Sequence, residues 1–114
     1  MIFVTGPLYA GKRAYIRDAL GLSDAELARR AVWDVQSLVR EESPEMLAER
    51  LSTREIVIAT EIGGGVVPID AAQRAQREAA GRLACLLAER ADTVIRVCCG
   101  LPQLLKGEWP CRSC

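Results

Sequence analysis

Apolar positions fall into four short runs separated by stretches of helical spacing. Residues 1–5, 31–35, 55–60 and 93–98 are rich in Ile, Val and other apolar side chains and are nearly continuous in character. Runs of that length and composition read as strands buried on both faces. Between them the polar pattern changes period. Residues 12–20 read as a first helix closed by Gly21, and Ser23-x-x-Glu26 is a capping box opening a second. Ser43-Pro44 pairs an N-cap with proline at the first helical position, predicting a helix to about residue 51. Asp70 opens the longest helix, to about residue 90, with Leu83, Leu86 and Leu87 on its apolar face. Strands alternating with helices predict an α/β fold built on a parallel sheet. A domain over residues 1–106 with a loose tail from 107 to 114 completes the expected organisation.

Function in a parallel sheet collects at the carboxyl ends of its strands. The first run leads into Gly6-Pro7-Leu8-Tyr9-Ala10-Gly11-Lys12-Arg13. Glycines at this spacing let the backbone wrap an anion, the N–H groups point inward, and the lysine neutralises the outer phosphates. The helix that follows aims its positive end at the same point. Arg13 stands where a Ser or Thr would ligate magnesium. The second run ends at Trp33-Asp34, an apolar run finishing in an acid, which suits a magnesium-holding carboxylate. The third ends at Thr60-Glu61, ahead of Gly63-Gly64-Gly65, and the fourth at Gly100-Leu101-Pro102. Each feature has a plainer reading. Asp34 suits a strand-end or N-cap, Glu61 a surface charge, and the glycines a connector; Arg74, Arg77 and Arg82 suit the solvated face of a helix. Their convergence on one rim favours a site.

Composition narrows the chemistry. The 114 residues carry fifteen basic and fifteen acidic side chains, so no basic field recommends nucleic acid as a partner. No apolar run reaches membrane-spanning length, and the cytoplasm is the expected location. Histidine is absent, which removes every mechanism with a histidine base, nucleophile or metal ligand. Cys85, Cys98 and Cys99 read as small buried apolar residues. Cys111-x-x-Cys114 is half a zinc site that Cys98 and Cys99 could complete, or a pair of accessible tail thiols.

Thr60-Glu61-Ile62-Gly63-Gly64-Gly65-Val66-Val67-Pro68 resembles the Asn-Glu-Val-Gly-x-Gly-Val-Val-Pro segment of the bifunctional adenosylcobinamide kinase/adenosylcobinamide-phosphate guanylyltransferase family. Arg74-x-x-Arg77-Glu78-x-x-Gly81-Arg82 is similar to that family's next helix, and Asp92 through Gly100-Leu101-Pro102 and Lys106 to its last strand and turn. Val4-Thr5-Gly6, Gly11-Lys12 and Trp33-Asp34 also fit, so the likeness spans about residues 1–106. It implies a reduced, three-layer, RecA-like P-loop fold and a place in cobalamin assembly. It also implies ATP or GTP with Mg2+, a corrinoid substrate and a homo-oligomer. Lys12, Asp34 and Glu61 would then be catalytic, with Asp34 on the metal and residues 6–13 on the nucleotide. Gly63, Gly65, Pro68, Arg74 and Arg77 would touch the substrate. The family's guanylyl transfer runs through a histidine, so that half is excluded here. Three readings stay open: a corrinoid kinase, a nucleotide- or corrinoid-binding remnant, and a kinase for another small molecule.

Overall fold

β-branched residues prefer the pleated, buried surface of a sheet, and the four apolar runs supply it. The computed structural model describes residues 1–61 and 70–110, and the statements below concern those residues. Five strands form one sheet in the order β2-β3-β1-β4-β5. They are β1 (Ile2–Gly6), β2 (Ala31–Val32), β3 (Ile56–Thr60), β4 (Thr93–Cys98) and β5 (Leu101–Lys106). β1, β2, β3 and β4 run parallel; β5 returns antiparallel along β4. Helices α1 (Lys12–Leu20) and α2 (Asp24–Arg30) cover one face, and α3 (Pro44–Leu51) and α4 (Ala71–Arg90) the other.

Alternation along the strands sorts the core into two halves. Val4, Ile58, Ile95 and Val97 meet Ile16 and Leu27 on one face. Phe3, Val57, Ala59 and Val94 meet Leu47, Leu51, Leu83 and Leu87 on the other. The result is the three-layer α/β sandwich of a P-loop NTPase. The helix starts fall where the cap residues place them. Ser23 and Glu26 complete a reciprocal capping box, Ser43 accepts from the Met46 N–H, and Asp70 accepts from the Ala72 N–H.

Three expectations are corrected. The second strand stops at Val32, because Asp34 adopts a left-handed conformation (φ 50°) that no strand accommodates. The chain then winds into a 3₁₀ helix, Val35–Arg40, and Val35 is buried from there rather than from the sheet. Secondly, the segment expected as the loop that ends the fourth strand is a tight turn, and Leu101-Pro102 begins a further strand, β5. Cys99 (φ 54°) and Gly100 (φ 74°) form a two-residue turn of the I′ kind, whose twist matches the flanking strands. Pro102 is tolerated because β5 is an edge strand. Lys106 donates to the Ala88 and Glu89 carbonyls at the end of α4, and the Thr93 hydroxyl donates to the Glu108 carbonyl, so residues 107–108 lie against the sheet. Thirdly, Cys85 and Cys99 are exposed and Cys98 is half-buried, so none is a core residue. Cys85 is two positions from both Leu83 and Leu87, which turns it away from their buried stripe on α4. Cys111 and Cys114 lie outside the described residues. No cluster of three or more His, Cys, Asp or Glu with metal-binding geometry occurs among the described residues. None of their helices is long and apolar enough to cross a membrane.

Burial sets the expected costs. Leu87→Ala, at a fully enclosed position, should lower unfolding free energy by about 2–5 kcal/mol in urea denaturation. Cys85→Ser should change it by less than about 0.5 kcal/mol; a larger loss would place that thiol in the core.

Candidate functional site

β1 is the central strand and ends at Gly6, where the chain turns directly beneath the end of β4. A Cβ on Gly6 would lie 2.1 Å from the Val97 carbonyl oxygen, and one on Gly11 3.3 Å from Gly100 Cα. The first approach admits only glycine; at Gly11 the contact is tight and the positive φ of 90° favours glycine. The turn between β4 and β5 completes the clasp, since the Gly100 N–H donates to the Ala10 carbonyl at 2.7 Å. Tyr9 takes a left-handed conformation (φ 58°) at the tip of the loop and is 94% exposed.

Lys12 opens α1 and is only 8% exposed. Its Nζ donates to the carbonyls of Pro7 at 2.7 Å and Gly6 at 3.2 Å, which folds the side chain back under the loop. Burial lowers its pKa below the ordinary lysine value, and the nearby charges of Asp34 and Glu61 oppose that shift. The three residues expected at three separate strand ends therefore meet electrostatically. Tyr9, Ala10, Gly11, Lys12, Arg13, Trp33, Asp34 and Ile58 line one open cavity of about 210 Å³. The left-handed bend at Asp34 is what turns its carboxylate onto that wall; Asp34 makes no side-chain cap bond to the 3₁₀ helix that follows.

Glu61 is placed differently. Its N–H donates to the Gly6 carbonyl at 2.9 Å, tying the end of β3 to the loop. Its carboxylate accepts from Arg96 Nε at 2.7 Å and from a second Arg96 nitrogen at 3.0 Å. That two-pronged bond, above all, holds the Glu61 pKa below the usual carboxylate range. Glu61 faces a second, smaller cavity of about 120 Å³ with Thr5, Gln36, Thr60 and Gly81.

Arg74 is exposed and Arg77 half-buried on α4, and neither lines the cavity that holds Lys12. Arg82 is paired with Glu45 of α3, not simply solvated. Gly63, Gly65 and Pro68 lie outside the described residues. Two contributors escaped the sequence reading. Arg96 could have been noticed as the one charge in an apolar strand run. Gln36, whose side-chain oxygen accepts from the Thr60 N–H at 2.9 Å, carries no comparable signal.

The family described as cobinamide kinase / cobinamide phosphate guanyltransferase matches residues 18–105. The chain belongs to that family. Membership brings a role in cobalamin biosynthesis and nucleotide-binding transferase character. The matched span starts within α1, so the loop over residues 6–13 stands beside the match on its own geometry. A search among curated proteins finds no match.

Gly6→Ala should perturb both fold and loop, lowering the urea midpoint by the equivalent of about 2 kcal/mol or more; an unchanged midpoint would show that β4 yields freely. Arg96→Leu tests the Glu61 pair. Because the folded Glu61 pKa is depressed, its stabilising contribution is present above the ordinary carboxylate pKa and lost as pH falls through the folded value. The stability gap between wild type and Arg96→Leu should thus be open at neutral pH and close in acid. It should stay below about 1 kcal/mol, since the pair is partly exposed.

Proposed function

We propose that this chain is a nucleotide-dependent phosphotransferase acting on the aminopropanol hydroxyl of a cobinamide, without guanylyl transfer. The cavity shared by Lys12, the glycine loop and Asp34 carries this reading. Phosphoryl transfer needs little covalent chemistry from a protein; it needs phosphates held in line and charge neutralised. Lys12 and the loop amides supply the cradle for the outer phosphates, with α1 adding its positive end. Lys12 must exchange its bonds to the Gly6 and Pro7 carbonyls for phosphate oxygens, an exchange of neutral acceptors for charged ones.

Asp34 is better suited than Glu61 to accept the hydrogen bond of the incoming hydroxyl. It lines the phosphate cavity, whereas both Glu61 oxygens accept from Arg96 and face away toward α4. In this reading Glu61 and Arg96 position the loop. Magnesium in loops of this type is held by a hydroxyl after the lysine and by an acid. Here a guanidinium occupies the first position, and Asp34 is the one carboxylate among the described lining residues. The donors do not fit that ion. The histidine-free sequence leaves no nucleophile for a histidine–guanylate intermediate.

Arg13 also favours a second reading, in which nucleotide is bound without efficient transfer. Incubation with γ-labelled ATP or GTP and adenosylcobinamide separates the two. Label on the corrinoid supports the kinase; saturable nucleotide binding without label supports the binding protein. Asp34→Asn should cut transfer by about 100-fold while changing nucleotide affinity little. Lys12→Ala should remove both, and its retention of nucleotide binding would overturn the site.

A further inference from the structure

We propose that Arg13 takes the place of the divalent cation, so that this chain binds nucleoside triphosphate without magnesium. The inference rests on the nucleotide reading above and adds what neutralises the outer phosphates.

Arg13 follows Lys12 in the first turn of α1 and lines the same cavity. Its guanidinium carbon lies 5.6 Å from the centroid of the Trp33 ring. Trp33 directly precedes Asp34, so the bend that brings the acid to the cavity wall brings the ring with it. The stacking holds a planar, permanently charged group at the mouth of the phosphate loop. The other contact of Arg13 is a loose pair with Asp24, 3.8 Å long and with both side chains more than half exposed. Such a pair is weak and readily exchanged for phosphate. Asp24 has a closer partner in Arg17, at 3.2 Å, so releasing Arg13 leaves no carboxylate unmatched.

The charges around the cavity point the same way. Lys12 and Arg13 stand at the N-terminus of a helix whose first turn contains no acidic residue. A divalent cation entering there would meet two fixed cations and the positive helix end; Asp34 is the one carboxylate among the described lining residues, and Glu61 is already held by Arg96. A guanidinium needs no such ligands. Its N–H donors form a rigid fork that matches two phosphate oxygens at once, which is the bridging a metal ion performs between neighbouring phosphates.

Titration calorimetry of ATP and GTP into the full chain, once with EDTA and once with excess magnesium, tests this. Wild type should bind in both conditions, with dissociation constants agreeing within about threefold, a difference under 1 kcal/mol. Arg13→Ser should lose about tenfold or more in EDTA and recover with magnesium, because a hydroxyl restores a ligand. Trp33→Leu should weaken binding in EDTA without acquiring magnesium dependence, since the fork is released but no ligand is added. Urea midpoints unchanged from wild type would show that both variants are folded, as expected for Arg13, which is 62% exposed. Wild-type binding that requires magnesium would overturn the inference and leave the nucleotide site standing. Equal affinities of wild type and Arg13→Ser in EDTA would overturn it as well. Absence of nucleotide binding in either condition would overturn the nucleotide reading itself.

Discussion

Close backbone packing between the end of β4 and the loop after β1 is the constraint on which the site depends. The Val97 carbonyl leaves no room for a side chain at Gly6, and the Gly100 N–H holds the Ala10 carbonyl. Together they fix where the loop turns and where α1 starts. Lys12 then has one place to go, beneath the loop, and its burial makes it responsive to the two acids that follow β2 and β3. The hairpin that supplies Gly100 is held in turn by β5, which Lys106 fastens to the last carbonyls of α4. A single chain of contacts thus runs from the C-terminal end of α4 to the glycine loop after β1.

The two acids divide their work through the sheet order. β3 lies between β1 and β2, so Glu61 sits next to the loop and Asp34 one strand further out. The adjacent acid is clamped by Arg96 and tied to Gly6 through its own backbone. The more distant one reaches the cavity because the chain bends sharply at Asp34. That bend exposes Trp33 to Arg13 in the same stroke. Arg13 after Lys12 and Trp33 before Asp34 are thus neighbours in space, with the guanidinium carbon 5.6 Å from the ring centroid.

Family membership and local geometry contribute different things. The matched residues carry β2, β3, β4, the Asp34 bend, α4 and most of β5, and with them the link to cobinamide chemistry. The proposed nucleotide end lies ahead of that span and is supported by glycine spacing, glycine packing and the buried lysine.

Much of this was legible in the sequence because its determinants are local. Apolar runs, cap residues such as Ser23, Ser43 and Asp70, and the glycine spacing of the loop each act over a few residues, and β1, β3, β4 and the four α-helices formed close to where they placed them. The missing histidine bounded the chemistry before any fold was known. What the sequence left undecided depended on pairs far apart in the chain. β5 needed β4 beside it to become a strand, since Leu101–Lys106 is largely exposed and contains a proline. Asp34 read as the end of a strand; only the tertiary structure bent it into a cavity wall. Arg96 and Glu61 are separated by 35 positions and became partners only when β3 and β4 flanked β1. Local propensity determined the elements; which charges meet, and which of them face the cavity beside Lys12, was decided by packing, because the energy of a charge is set by its neighbours in space rather than along the chain.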